Sequence, residues 1–398
     1  MNYRMNDRST RVLLSGVVLA FLGLPPSSHA QTVSNVLTFL LQNQSVQTGS
    51  PERDRASTQA TTDTISRALL ANLATLPVPT SSSAFLYRLN PELGTVERST
   101  PNFGPFFVER AQTAGRGQAS FGVTFEQLHF TSLDGHNLRD GTFVTTANQF
   151  VDEKTPFDVD ELTLNIDATV ATAYANVGVT DRFEIGAAVP FVRLQLDGSR
   201  VDNYRGSIFT QAGASAQTIG LADVVVRGKY LLYSEDGDGA AAAIDVRLPT
   251  GRRDDLLGAG RASVRLSGIG SLDRGSMAAH VNAGISIGGL ATEFDYAAAV
   301  EVAATPRATI IGELLGRTID SPGHIIQVPA INPTIAGVQT LRLAPDTSML
   351  NILTLVPGFK WNLSTTWVLA ANVTIPLTTG GLTAPFTPFV GLDYSLGR

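Results

Sequence analysis

One stretch of the chain, residues 160–196, alternates between apolar and polar side chains with the two-residue period of a β-strand. In residues 162–170, the even positions hold leucine, isoleucine, alanine or valine, and the odd ones hold threonine, asparagine or aspartate. Residues 183–191 carry a second alternating series with apolar odd positions. A tight turn at residues 178–181 would pair the two series as a hairpin with one apolar face, which we expect to contact lipid.

The proposed hairpin predicts specific neighbours. With this turn, Tyr174 faces Ile185 and both lie on the apolar surface. Beyond Pro190 the alternation shifts by one residue, and this predicts a β-bulge because proline cannot donate to the strand ladder. The bulge would place Asp167 beside Arg193 on the polar face, as an ion pair inside a lumen.

The amino terminus has the features of a secretory signal peptide. Arginines at positions 4, 8 and 11 precede an apolar run over residues 12–24, and Ser28 and Ala30 suit a cut after Ala30. No later segment has the roughly 20 apolar residues of a membrane helix. The chain has no cysteine, which excludes disulfides and thiolate metal sites. Export with alternating strands predicts an outer-membrane barrel or a soluble periplasmic β-protein.

The links between strands distinguish these two classes. Short and mostly long links alternate along the chain, as expected for tight periplasmic turns and longer extracellular loops, whereas a soluble sandwich has no reason to segregate them. We therefore predict a transmembrane antiparallel up-and-down β-barrel of about twelve strands over residues 117–398. The predicted strands are 117–131, 160–177, 182–197, 218–233, 240–250, 261–271, 276–288, 293–304, 308–318, 349–363, 366–376 and 385–396.

Charged side chains occur at alternate positions of these strands, which share one face and which we call one parity. A lysine or arginine on the lipid face would cost roughly 2–4 kcal/mol near the bilayer midplane, so this parity should line the lumen. The candidate lumen-lining residues are Asp167, Arg193, Asp223, Arg227, Lys229, Asp245, Arg247, Arg265, Glu293, Asp295, Glu301, Glu313 and Lys360.

Aromatic residues collect on the other parity, near the short turns. Amphipathic rings at one level are typical of a membrane interface. We predict a girdle formed by Tyr174, Phe183, Tyr230, Trp361, Trp367 and Tyr394.

Five stretches of the chain resemble a known family of outer-membrane proteins. They are GVTDRFEIGAAVPFV, GLADVVVRGKYLL, IDVRLPTG, GFKWNLSTTWVLAANVTIPL and TPFVGLDYSL, within residues 105–398. They resemble the outer-membrane channels of the family named for the meta pathway of phenol degradation, and more distantly the fatty-acid and aromatic-hydrocarbon transporters of Gram-negative outer membranes. The resemblance implies a channel for small hydrophobic molecules, including aromatic ones. It carries over no substrate residues.

The resemblance also implies the surroundings of the protein. It places the barrel in the outer membrane of a Gram-negative-type bacterium, in contact with lipid and lipopolysaccharide. The carboxyl-terminal GLDYSL resembles the strand signal read by the barrel-assembly machinery, although Gly397 and Arg398 follow where such barrels usually end on an aromatic residue.

Residues 31–116 lack the barrel pattern. Residues 42–64 form a polar tract with too few apolar side chains to become ordered. Ile65, Leu69, Leu73 and Leu76 recur at helical spacing, and Pro77 ends the predicted helix. Residues 85–99 predict a small hairpin. Two interpretations stay open for this segment, a plug inside the barrel or a periplasmic tail.

The sequence offers no candidate catalytic centre. The four histidines after the signal peptide lack HExxH or any other metal spacing, so we expect no metal, no cofactor and no enzyme activity. His280 and Asn282 share a strand face, as in outer-membrane phospholipases, but they face the predicted lumen and a structural pair is favoured. The net charge of −6 disfavours a nucleic-acid partner.

The predicted loop at residues 319–348 is unusually apolar. Proline at three positions argues against a regular helix there. The loop either forms a lid that captures a hydrophobic solute or packs on neighbouring loops for structure alone. The candidate lid residues are Ile325, Ile326, Val328 and Ile331.

These patterns predict an outer-membrane channel that passes small hydrophobic molecules by diffusion. The alternative is a closed structural or adhesive barrel that transports nothing, its lumen filled by charges of both signs. Twelve strands lie between small filled barrels of about 8 strands and open porins of about 16, so the strand number does not decide between them.

Overall fold

The computed structural model describes residues 31–42, 46, 50–73, 78–79, 87–90, 95–98, 100–320, 324–346, 348–364 and 366–396. The expected signal peptide, residues 1–30, lies outside the described residues, as do Leu76, Pro77, Gly397 and Arg398. Cleavage after Ala30 therefore stays a prediction.

Two helices and one 3₁₀ turn lie in the described part of the chain. They are α1 (Val33–Leu41), α2 (Pro51–Leu73) and the turn Arg253–Asp255. Neither helix of this described part is long and apolar enough to cross a membrane.

Strands make up most of the described chain. They are β1 (Tyr87–Asn90), β2 (Thr95–Arg98), β3 (Ala119–Phe130), β4 (Ser132–Leu133), β5 (His136–Asn137), β6 (Phe143–Phe150), β7 (Asp158–Gly178), β8 (Phe183–Tyr204), β9 (Ser207–Leu221), β10 (Val224–Glu235), β11 (Asp238–Leu248), β12 (Ser263–Arg274), β13 (Met277–Gly288), β14 (Thr292–Thr305), β15 (Ala308–Asp320), β16 (Ile325–Ile331), β17 (Val338–Pro345), β18 (Leu350–Asn362), β19 (Trp367–Pro376), β20 (Leu382–Thr383) and β21 (Thr387–Leu396). β1 and β2 form the hairpin predicted around residues 90–94.

Twelve of these strands close into an antiparallel barrel. The ring runs β3, β7, β8, β10, β11, β12, β13, β14, β15, β18, β19, β21. β21 pairs with β3 from Phe389 opposite Glu126 to Leu396 opposite Ala119, and pairing of β7 with β8 completes the ring. The predicted closed barrel, joined between its first and last strands, is confirmed.

The connections differ between the two ends of the barrel. At one end β8, β11, β13 and β15 follow their partners after turns of only a few residues. We name this the short-turn end and the opposite end the long-loop end. The alternation of short and longer links along the sequence is thus confirmed.

The long-loop end carries a second sheet region that the sequence did not predict. β7 and β8 have 21 and 22 residues, and their far halves pair with β6 and β9 instead of β3 and β10. β17 pairs with β6 and β16 with β17, which makes six neighbouring strands that we name the crown. Residues 143–150, 207–217 and 325–345, expected to be loops, are therefore largely strands. The far halves of β7 and β8 extend beyond β3 and β10, so their backbone N–H and C=O groups need other partners. Pairing with these segments supplies them.

The outer surface of the barrel is apolar. On β13, β14 and β15, side chains such as Val281, Ile285, Phe294 and Ile310 are exposed and alternate with buried polar residues. Only closed barrels and helices satisfy their backbone groups inside a bilayer, and closed barrels are the form that outer-membrane proteins take. The predicted outer-membrane location is confirmed.

The aromatic girdle lies at the short-turn end. Trp361 and Tyr230 are exposed there, and the rings of Trp367 and Tyr394 lie 4.7 Å apart across adjacent strands. Phe183 is on the same outer parity as Ile185. Tyr174 is the exception, because it shares its parity with the buried Thr172 and Asn176 and points inward against Gly122.

The register of the β7–β8 hairpin differs from the predicted one. Tyr174 lies opposite Ala188, and pairing continues past Pro190 with no bulge. The hydroxyl of Thr180 accepts hydrogen bonds from Arg182 N (3.2 Å) and Phe183 N (2.9 Å), which fixes a turn at residues 179–182. The shift in register turns the even residues of β7 to the inside of the barrel.

This register makes the predicted Asp167–Arg193 lumen pair wrong. Asp167 lies on the outer face, where its Oδ1 is 2.7 Å from both His129 Nδ1 and Arg139 Nη2. Arg193 lies opposite Thr169 on the same face and is exposed. The neighbouring Ile166 is buried in the interior together with α1. In this part of the barrel the polar face therefore points outward and the apolar face inward.

Cysteine labelling tests this inversion, since the chain has no cysteine of its own. We expect Asp167→Cys to react with a membrane-impermeant maleimide on intact cells, and Ile166→Cys to react roughly tenfold more slowly or not at all, because it is buried. Equal labelling of these adjacent positions would contradict the register described above.

Candidate functional site

The interior at the long-loop end is apolar and is occupied by α1. Thr32 caps this helix, with its hydroxyl accepting a hydrogen bond from Asn35 N at 3.2 Å. The helix turns five fully buried side chains toward the barrel wall: Val33, Val36, Leu37, Leu40 and Leu41.

The strands in closest contact with α1 are β9 and β8 of the crown, together with the 3₁₀ turn after β11. Leu162, Leu164 and Ile166 of β7 and Leu194 and Leu196 of β8 share one buried cluster with the helix. Residues from β3, from the loop after β11 and from the loop before β21 belong to the same cluster, so α1 lies against the inner face of the crown, at the long-loop end of the ring. We name this apolar inner surface the vestibule.

One glycine lets α1 approach the wall closely. A Cβ at Gly198 of β8 would collide with the side chain of Leu40 and touch Leu164. A larger residue at this position would force the Leu40 side chain to move.

Helix α2 lies next to α1 at the same end. It begins at Pro51, within the tract of residues 42–64 that we expected to remain unordered. Thr62 and Thr64 donate to the carbonyls four residues earlier, and Asp54 pairs with Arg342 of β17 at 2.9 Å. The helical spacing of Ile65, Leu69 and Leu73 is confirmed, but contacts with the crown extend the helix upstream.

Residues 100–118 cross the inner faces of successive strands near the short-turn end. We name this segment the inner strap. Its backbone N–H groups donate hydrogen bonds to side chains of the barrel wall, which come from several different strands. These bonds run from Gly104 N to Glu301 (2.9 Å), Phe106 N and Phe107 N to Glu313, Glu109 N to Asn282 (2.6 Å), Ala111 N to Ser271 (2.8 Å) and Ala114 N to Glu184 (2.8 Å).

Two lysines and one asparagine of the wall complete the contacts of the inner strap. Lys360 Nζ donates to Pro105 O at 2.7 Å, and Asn282 Nδ2 donates to Glu109 O at 2.9 Å. Lys229 Nζ lies 3.4 Å from carboxylate oxygens of both Glu109 and Glu184. Buried backbone groups need partners, and the polar inner parity of β8 to β18 provides them here.

His280 belongs to this wall network. Its Nδ1 lies 2.8 Å from Ser271 Oγ, and its Nε2 lies 2.7 Å from Glu301 Oε1. All three side chains are buried, and the oxygens of Ser271 and Glu301 also accept hydrogen bonds from strap N–H groups. The arrangement therefore binds the inner strap to the wall.

A cavity of about 180 Å³ lies between α2 and the inner strap, touching Ala71 of the one and Phe107 of the other. One wall is a ladder of ion pairs. Arg227 pairs with Asp245 and with Glu109, and Arg265 Nη1 reaches Asp245 at 3.0 Å.

The ladder continues across three more strands. Arg265 of β12 spans β13 to pair with Asp295 of β14, with Nε to Oδ1 at 2.8 Å. A Cβ at Gly284 of β13 would lie 3.0 Å from this Arg265 Nε, so glycine leaves the room for the crossing. Arg317 pairs with Glu293 at 2.7 Å. Apolar side chains also line the cavity, among them Leu290 and, on either side of Arg317 on the same face of β15, Leu315 and Ile319.

The predicted lumen-lining residues thus fall into four groups. Arg227, Asp245, Arg247, Arg265, Glu293 and Asp295 line the cavity, and Lys229, Glu301, Glu313 and Lys360 contact the inner strap. Asp223 accepts hydrogen bonds at 2.9 Å from Gly251 N and Ala259 N of the loop after β11. Asp167 and Arg193 lie on the outer face.

The candidate lid residues form an edge strand of the crown. Ile325 is buried in the cluster around α1, and its N–H donates to Asp134 Oδ2 at 2.8 Å. Ile326, Val328 and Ile331 of β16 are exposed, Ile331 to 87%. This segment is a β-hairpin and not the irregular loop that its prolines predicted.

Sequence analysis missed α1 and the inner strap. The run VSNVLTFLL after Thr32 carries a recognisable cap and apolar residues at helical spacing, so α1 had a signal. The strap has none, because its bonds are made by backbone groups to side chains more than 60 residues away. Among the described residues, no group of three or more histidines and carboxylates is arranged to hold a metal ion.

No protein-family model and no curated protein matches this sequence. Solved structures of barrels do. An outer membrane channel from Pseudomonas putida F1 is 13% identical over 72% of this chain and 98% of its own, with a TM-score of 0.46. OprB of Pseudomonas putida is 8% identical over 70% of this chain and 93% of its own (TM-score 0.28), and the protease OmpT of Escherichia coli is 8% identical over 70% and 97% (TM-score 0.28). Scores at this level carry no functional assignment.

An engineered disulfide tests the position of the inner strap. The Cβ of Ala111 lies 3.1 Å from a Cβ built on Gly239 of β11, close to the roughly 3.5–4.5 Å of a disulfide. We expect Ala111→Cys with Gly239→Cys to form an intramolecular disulfide under mild oxidation, detected as a mobility shift that a reductant reverses. Gly268, which has no atom within 4 Å of a built Cβ, provides the control partner. A disulfide formed as readily between positions 111 and 268 would contradict this placement.

Proposed function

We propose that this protein is an outer-membrane channel for passive uptake of small hydrophobic molecules, in which residues 31–116 act as a plug. The family resemblance of residues 105–398 supports the solute class. The short-turn end faces the periplasm in this proposal, and the long-loop end faces the cell exterior. The protein acts as a channel and not as an enzyme.

The apolar vestibule carries the proposal. Barrels that pass polar solutes have polar, water-filled interiors, whereas the wall around α1 consists of aliphatic residues and phenylalanine. If α1 withdraws, this wall becomes an apolar surface open to the exterior. A hydrophobic solute would leave water there, taking up the contacts that the leucines of α1 had made.

The charged ladder below the vestibule is compatible with such a solute. Its arginines and carboxylates are paired with one another along one wall, so a neutral molecule leaves no charge unpaired when it passes. Leu290, Leu315 and Ile319 offer such a solute apolar contacts beside these pairs. The inner strap then controls the exit at the short-turn end.

Uptake into liposomes tests the proposal. We expect the full chain to take up a small aromatic probe, such as naphthalene, slowly, and a variant lacking residues 32–73 to take it up about tenfold faster or more, because the vestibule is then open. Heat-modifiable mobility serves as the control for barrel folding. If neither protein takes up the probe, the closed structural or adhesive barrel is the better description.

The exposed side chains of β16 are the proposed entry surface. We expect Ile326→Asp to slow uptake of the aromatic probe roughly threefold to tenfold in the full chain, because a charge removes an apolar contact at the rim. Ile325 is unsuitable for this test since it is buried against α1. Gln327→Asp on the same strand is the matched control, and an equal effect of both changes would exclude β16 as the entry surface.

A further inference from the structure

We infer that the buried pair of Arg200 and Asp160 is a latch that holds α1 in the vestibule and so keeps the channel closed. This inference rests on the proposed function, in which α1 is the movable part of the plug. Arg200 lies on β8 and Asp160 on the neighbouring β7, both within the crown. Their side chains are 2% and 0% exposed.

Arg200 binds the carboxyl-terminal end of α1. Its Nη1 donates to Leu40 O at 2.7 Å and to Gln42 O at 2.8 Å. The last carbonyls of a helix have no partner within the helix and carry partial negative charge. A guanidinium placed there satisfies them and is stabilised by the helix dipole.

Asp160 fixes the other side of the latch. Its Oδ1 lies 3.6 Å from Arg200 Nε, and its Oδ2 accepts a hydrogen bond from Val46 N at 3.2 Å. Val46 follows α1 by five residues. The pair therefore binds the last turn of the helix through Arg200 and the chain that follows it through Asp160. A buried guanidinium needs such a counter-ion.

The chemistry of these contacts separates them from the rest of the α1 interface. The other described contacts of α1 are largely apolar, and an incoming hydrophobic solute can replace apolar contacts because they have no direction. An apolar solute offers no acceptor for Arg200, so it cannot replace the two carbonyls. Release of the helix therefore requires Arg200 to give up both hydrogen bonds.

A second ion pair provides a matched comparison. Arg342 of β17 pairs with Asp54 of α2 at 2.9 Å, and the side chains are 13% and 19% exposed. This pair also joins a plug helix to the crown, but it lies near the start of α2 and is partly open to water, so it contributes less. Removing it should leave α1 in place.

The test uses the full chain with Val36→Cys as the only cysteine, since Val36 is fully buried in the vestibule. The latch variant is Arg200→Met with Asp160→Asn, which removes both charges together, and the control is Arg342→Met with Asp54→Asn. We expect a membrane-impermeant maleimide to label Cys at position 36 about tenfold faster or more in the latch variant than in the parent. The control should differ from its parent by less than about threefold.

Ion conductance in planar bilayers is the second readout, with heat-modifiable mobility to show that each barrel is folded. The latch variant should approach the conductance of the variant lacking residues 32–73. Labelling and conductance at the parental level, or an equal rise in the control, would overturn the latch. If the deletion variant takes up the aromatic probe while the latch variant behaves like the parent, the latch fails and the proposed function stands. If labelling and conductance rise without uptake in either variant, the latch stands and the proposed solute class fails.

Discussion

The interior of a closed barrel has to match whatever occupies it, and this requirement organises the whole structure. Buried backbone groups need hydrogen-bond partners and buried apolar groups need apolar neighbours. At the short-turn end the wall offers Glu301, Glu313 and Asn282 to the N–H groups of the inner strap. At the long-loop end it offers leucines to the apolar side of α1. Each half of the wall thus complements a different part of the amino-terminal segment.

The hairpin of β7 and β8 joins these two environments. Near the short turn its outer face carries exposed apolar residues such as Ile185 and Phe191. Further up, the outer face carries Asp167, Arg193 and Gln195, while Leu164 and Leu194 lie inside. Strand parity is continuous along both strands, so the inversion arises from the surroundings. The lower half meets lipid outside, and the upper half meets α1 inside.

The charges of the interior act mainly by pairing. The ladder from Arg227 to Asp295 crosses five strands with each carboxylate bonded to a guanidinium. Burying an ion pair costs desolvation free energy, and a buried charge left without a partner is strongly destabilising. This gives the barrel a wall that is polar yet locally neutral, with apolar side chains such as Leu315 and Ile319 between the charges. The plug presents apolar side chains of α1 to the vestibule and backbone N–H groups of the inner strap to the wall at the short-turn end. Because these contacts are separate, α1 can be released while the strap stays bound, and the latch at Arg200 acts on α1.

The sequence by itself determined the barrel, its twelve strands and their closure, because a two-residue period and the alternation of link lengths are local signals. The polar parity also predicts Arg227 or Lys229 opposite Asp245, and a register shift between Leu231 and Tyr233 places Arg227 there. Only the tertiary structure decided which face of β7 points inward and where α1, α2 and the inner strap lie. The alternation of side chains shows that the two faces of a strand differ, but it does not show which face contacts lipid. A leucine such as Leu164 can pack equally well against a bilayer or against a helix. The strap depends on side chains distant in sequence, such as Glu313, whose role exists only once the barrel has closed around residues 106–107.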